Sequence, residues 1–174
     1  RRIIDHQKKN NNRILLADSN LFLYKNKSNP LQYLRYSFDG VFPDTGTYFD
    51  TYPDPNRWNK ISADMDLQVK PYRKNGNHVL ICLQRHNGWS MGGKGIEDWA
   101  SDTISNLRKY TDRPIVLRPH PGDKGAVQRV AKFINQNRLS RVVLSDPKRP
   151  LESDLTNCWT VVNHNSSPAV GAAI

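Results

Sequence analysis

From Asn77 to Ile174, short apolar runs alternate four times with amphipathic stretches, and few architectures accept such a chain. His78-Val-Leu-Ile-Cys-Leu83 is almost continuously apolar, as a strand buried on both faces requires. Gly95 to Thr111 then sets Ile96, Trp99, Ala100, Thr103, Ile104 and Leu107 at helical spacing, with Glu97 and Asp98 early and Arg108 and Lys109 late, the order the helix dipole favours. The unit recurs. Strand Ile115 to Leu117 leads to a helix bearing Val127, Val130, Ala131 and Ile134, strand Val142 to Leu144 to a short helix from Pro150, and strand Trp159 to Val162 to a last helix. This alternation predicts an α/β domain: a Rossmann-like parallel sheet with flanking helices.

Upstream the pattern is looser. Arg1 to Asn12 is basic and Asn-rich and reads as a frayed helix or arm, and Arg13 to Asp18 as a short strand. After Asn29-Pro30, the spacing of Leu31, Leu34, Tyr36 and Phe38 predicts a helix. Asp39 to Asn59 is dense in Gly, Pro, Asp, Asn and aromatic residues and reads as one long loop, whose aromatics cover the domain edge or, beside Arg57 and Lys60, stack on a base or sugar. The basic, Pro/Gly/Asn-bounded run Lys70 to Asn77 is the candidate boundary. Residues 1–74 are thus expected to be a partial N-terminal α/β segment with its linker, and residues 75–174 a nucleotide-binding domain. Its last helix has barely two turns, so a truncated C-terminus is expected, with an oligomeric partner as one way of covering it.

Hydrophobic residues make up 37 % of the chain, low for a compact domain, which places the polar surplus in the N-terminal third. With 26 Lys and Arg against 16 Asp and Glu, the net charge of +10 admits polyanions and phosphorylated ligands as partners. The basic residues form no unbroken run, and a solvated surface accounts for most of them. Two isolated cysteines, Cys82 in an apolar strand and Cys158 near a helix end, make neither a zinc site nor a disulfide framework and fit a reduced, cytoplasmic setting. No apolar run approaches the roughly 18 residues of a membrane span.

The chemistry-bearing residues gather in loops that follow strands. Arg118-Pro119-His120-Pro121 is a cationic turn that two prolines stiffen, expected to put Arg118 and His120 at the mouth of the largest cleft. The loop after the first strand offers Arg85, Asn87, Ser90 and Gly92-Gly93; the one after the fourth offers Asn163, Asn165, Ser166 and Ser167 at a helix start. Arg forks, hydroxyls and helix-terminal N–H groups suit a phosphate or diphosphate. Each piece also has a bland account: a strand exit whose His packs, a solvated Arg85, an ordinary N-cap before Pro168. No Walker or Gly-x-Gly-x-x-Gly motif is present.

His120-Pro121 after a strand, with Ser166-Ser167 opening a helix about two units later, resembles the nucleotide-binding half of GT-B glycosyltransferases: bacterial sialyltransferases, capsule Kdo transferases and teichoic-acid glycerophosphotransferases. The resemblance covers roughly Asn77 to Ile174. It implies a nucleotide-sugar donor (CMP, CDP or UDP), His120 as the catalytic clamp on the leaving nucleotide with Pro121 beside it, Ser166 and Ser167 on the phosphate, and no metal or cofactor. The implied acceptor is a saccharide, a lipid-linked glycan or a nucleic acid. The acidic base of such enzymes has no motif here, and Asp18, Asp39 and Asp44 are candidates by residue type alone, so a chain lacking that half would bind a donor without turning it over. The alternative from another class is a basic nucleic-acid-binding α/β module, using the aromatics between Tyr48 and Trp58 without catalysis.

Overall fold

The computed structural model describes residues 2–18, 33–41, 46, 47, 52 and 54–174. The chain divides into two compact units, residues 1–69 and 70–173.

In the first unit, α1 (Arg2–Lys9) precedes β1 (Leu15–Asp18), which pairs antiparallel with β2 (Arg35–Phe38) so that Leu15 faces Phe38 and Asp18 faces Arg35. Residues 35–38 are therefore extended, contrary to the helix expected from Leu34, Tyr36 and Phe38. Two residues fix the ladder: Arg35 pairs with Asp18, and Asp39, in the left-handed region (φ 67°), accepts the Ile14 N–H at 3.0 Å and Arg13 Nε at 2.6 Å. The expected long loop is also shorter than anticipated, because α2 (Pro55–Asp64) begins inside it. Asp54 caps it by accepting the Asn56 N–H at 2.9 Å, and Pro55 occupies the first turn, where its missing N–H costs nothing. Leu31, Asp44 and Tyr48 lie outside the described residues.

The second unit holds β3 (His78–Cys82), α3 (Ile96–Leu107), β4 (Ile115–Arg118), α4 (Ala126–Gln136), β5 (Val142–Leu144), α5 (Leu151–Leu155), β6 (Cys158–Asn163) and α6 (Pro168–Ala173). Its four strands form a parallel sheet in the order β5-β4-β3-β6, so the expected Rossmann-like α/β arrangement is present. Val79, Leu80 and Ile81 of the inner strand β3 are fully buried, each stabilising the fold by about 1.5–3 kcal/mol. One face of the sheet packs on Ile96, Ala100 and Ile104 of α3 and on Val130 and Phe133 of α4. Val127 is turned outward, and Phe133 takes the core place the sequence pattern had given it. Leu80 and Cys82 lie on the other face with Cys158, under Leu151 and Leu155 of α5. Cys158 opens β6 three residues after the end of α5. Among the described residues no helix is long and apolar enough to cross a membrane.

Strand order positions the site. From β3 the chain steps outward through β4 to β5, then returns to the far side of β3 for β6, so the segments after β3 and β6 diverge from a common crevice. Open α/β sheets bind ligands outside such a switch point.

Candidate functional site at the carboxyl edge of the sheet

The strands end together, the Leu83 N–H reaching Arg118 O at 2.9 Å and the Ser145 N–H reaching Leu117 O at 2.8 Å. Just beyond that edge His120 is half-buried, and its Nδ1 accepts the Gly122 N–H at 3.0 Å. An imidazole nitrogen that accepts carries no proton, so the neutral ring holds its proton on Nε2, which has no hydrogen-bond partner among the described residues. Burial, and then the Arg85 cation, push the His120 pKa below its ordinary value, which keeps the ring neutral near pH 7.

Arg85 arrives from the loop after β3 and lies on the same turn: a Cβ added at Gly122 would stand 2.5 Å from Arg85 Nη2. Gly122 is therefore what lets the guanidinium approach, a signal present in His120-Pro-Gly but not used in the sequence reading. Arg85 is exposed, and among the described residues no carboxylate pairs with it. An unpaired guanidinium and an imidazole N–H on one stiff turn form a donor set for an anion. Pro121 is exposed beside them.

The turn is braced by residues that sequence reasoning did not select. Asp123 accepts the His86 N–H at 2.8 Å and Arg129 Nη2 at 2.7 Å, tying the loop after β3, the turn after β4 and α4 together. Burial alone would raise the Asp123 carboxyl; the Arg129 and His86 hydrogen bonds overcome it and hold the group below the usual carboxylate range. Glu97 at the start of α3 lies 3.8 Å from Arg129 Nε and 3.7 Å from His86 Nδ1.

Across the switch point, Gln84 donates to Asn165 Oδ1, and Asn165 Nδ2 donates to Ser90 O at 3.0 Å, so Asn165 clips the loop after β6 to the loop after β3. Asn87, in the left-handed region (φ 55°), is exposed nearby in sequence. Ser166 and Ser167 open the turn into α6, their carbonyls accepting the Ala169 and Val170 N–H groups. The Ser166 Oγ is enclosed and has no partner, so it does not face an open crevice.

Arg118 departs from its expected role. It is 8 % exposed, and its guanidinium is occupied by the Asp154 carboxylate and by the carbonyls of Arg149 (2.6 Å) and Pro147 (3.4 Å). Ser145 Oγ donates to the same carboxylate. A buried cation satisfied in this way joins β4 to α5 and has no fork left for a ligand. A groove of about 390 Å³ runs along α3 and α4 past Asp98, Lys132 and Gln136, while His120 lines a cavity of about 10 Å³ under the turn, the space of one water. Of the acids considered as a base, Asp18 pairs with Arg35, and Asp39 is held low first by the Ile14 N–H and then by Arg13, which makes it a weaker proton acceptor. Among the described residues no group of three or more His, Cys, Asp or Glu could hold a metal ion.

Compared with protein-family models, with curated proteins and with solved structures, the chain finds no match.

Proposed function

We propose that the carboxyl edge of the parallel sheet binds the phosphate of a nucleotide, as the donor half of a nucleotide-sugar-dependent glycosyltransferase of GT-B type. The observation that carries this is Arg85, without an acidic partner among the described residues, lying against Gly122 in the turn of His120, whose Nε2 has no hydrogen-bond partner among those residues. A donor on a turn stiffened by two prolines, as His120 is, loses little freedom when an anion arrives, and such donors act most strongly where negative charge develops on a leaving phosphate. In direct displacement at the anomeric carbon, the bond to the acceptor oxygen would form as the bond to the nucleotide phosphate breaks, a base on the acceptor side would take the acceptor proton, Arg85 would balance the growing phosphate charge and His120 would donate one hydrogen bond to it. Arg118 would support the strand end without touching the ligand. The donor classes are the CMP, CDP and UDP sugars, and the acceptor is a saccharide, a lipid-linked glycan or a nucleic acid.

Thermal shift with CMP, CDP, UDP, GDP and ADP tests binding, because a ligand held only by the folded state raises the melting temperature. His120→Ala is expected to weaken the best of these by about 1–3 kcal/mol, the cost of a hydrogen bond to a charged group, and to leave the melting temperature of the unliganded protein nearly unchanged. Lost stability with unaltered nucleotide affinity would remove the proposal.

A further inference from the structure

The opposite edge of the sheet gathers basic side chains that form no ion pair among the described residues. Four connecting segments meet there. Arg113 Nε donates to Gly76 O at 3.0 Å, the Asn77 N–H reaches Asn157 O at 2.8 Å, and Arg108 donates to the carbonyls of Arg113 (2.8 Å) and Arg141 (3.3 Å). Arg73, Lys74, Lys109, Arg138 and Arg141 are exposed on these segments, and Asp112 is their one acid. None of the basic side chains named here takes part in an ion pair among the described residues.

Two further observations show what this edge suits. Arg138 and Arg141 both have left-handed backbones (φ 48° and 55°), whereas every other positive-φ residue described between residues 70 and 173 is Gly or Asn. An Arg at such a position costs more than Gly would, so the backbone does not account for the side chain. Tyr72 and Tyr110 also stand out from these segments, 76 % and 83 % exposed. Lys74 Nζ lies 5.8 Å from the centre of the Tyr72 ring, so the two stand together, while Tyr110 stands alone. Cations that match phosphate, interleaved with exposed aromatic rings, are the features that hold an unpaired strand of nucleic acid by its backbone and its base faces. The segments offer no helix N-terminus to enter a duplex groove, and no large aliphatic side chain among their exposed hydrophobics to anchor in a lipid surface.

We propose that this amino edge is a docking surface for single-stranded nucleic acid, separate from the nucleotide site and not resting on it. The test is fluorescence anisotropy of the full chain with a labelled oligo(dT) of about twenty nucleotides. With about five phosphate contacts, affinity should fall roughly a hundredfold between about 50 and 200 mM salt. Replacing both Arg138 and Arg141 by Gly supplies the residue the backbone prefers. Melting should stay level or rise, binding should weaken at least about tenfold, and the salt slope should drop by about 1.4. Tyr110→Ala should weaken the single strand about fivefold or more and leave a duplex of the same sequence unaffected. Lys124→Ala with Lys148→Ala, an equal charge loss on the carboxyl edge, should change little, as should His120→Ala. Equal weakening by the Lys pair, an unaltered affinity in the Gly pair or in Tyr110→Ala, or equally tight binding to anionic lipid vesicles would each overturn the proposal.

Discussion

A single missing Cβ sets the approach of Arg85 to the His120 turn. Gly122→Ala brings a methyl to within 2.5 Å of Arg85 Nη2, and the guanidinium, as the far end of a flexible chain, moves aside. The variant should therefore melt within about 0.5 kcal/mol of the parent, as surface substitutions do, while nucleotide affinity falls toward that of Arg85→Ala; unchanged affinity in calorimetry would show that Arg85 does not bind the ligand there. His120 adds a pH signature. Its pKa is lowered in the folded chain, so as pH falls below 6.5 the unfolded imidazole is protonated first, and the stability present above 6.5 is lost toward the lower folded value. For an anion the sign reverses, because protonation adds a second cation beside Arg85. Binding of a nucleotide sugar, which has no group titrating near pH 6, should be flat above neutrality and tighten as pH falls through the folded value. The rise should be absent in His120→Gln, and a flat titration of the parent would count against His120 contact.

Between elements, the Arg118–Asp154 pair decides how β4 is joined to α5. Both side chains are below a tenth exposed, and removing one leaves the other charged and buried, at a cost of about 3–5 kcal/mol. Arg118→Met should lose that much in urea unfolding, whereas Arg118→Met with Asp154→Leu should regain most of it; no recovery in the double variant would mean that the carbonyl bonds of Arg118, not its charge, hold the element. This pair also shows where sequence reasoning stopped. An Arg at a strand exit looks the same whether it meets solvent, a ligand or a carboxylate 36 positions away, and only the fold supplies Asp154. The four βα units were legible because continuous apolar runs and 3.6-residue stripes are local signals. That Arg85 and the turn of His120 come together was legible because strand ends in such folds lie on one edge. β2 was misjudged because four residues are too few to separate a helical stripe from alternation, and α2 because Asp54-Pro55 serves as readily for a turn as for a cap. Asp123 and Arg129 gave no signal at all, since their importance lies in joining segments that are distant in sequence.

In the whole molecule, burial is unevenly distributed. Val79, Leu80, Ile81, Ile115 and Leu117 are fully enclosed, while the two-stranded ladder of β1 and β2 leaves Leu15 and Tyr36 exposed. Amide hydrogen exchange should accordingly be slowest in Val79 to Leu83 and Ile115 to Leu117, and faster by orders of magnitude in residues 15–18 and 35–38; equal protection of the two sets would contradict this ranking. The strand order has another consequence, which concerns translation. His78 of β3 finds its β6 neighbour Cys158 about eighty positions later in the chain. At ribosomal rates of about 5–20 residues per second, roughly 4 to 16 seconds pass before that neighbour is made. During this interval β3, both of whose edges are paired in the finished sheet, has at least one hydrogen-bonding edge open, and such an edge is a template for a strand from any other chain. Recovery of native protein from a cell then depends on what shelters that edge while the polypeptide is still being made, and slowing elongation without adding a holdase should lower the soluble yield.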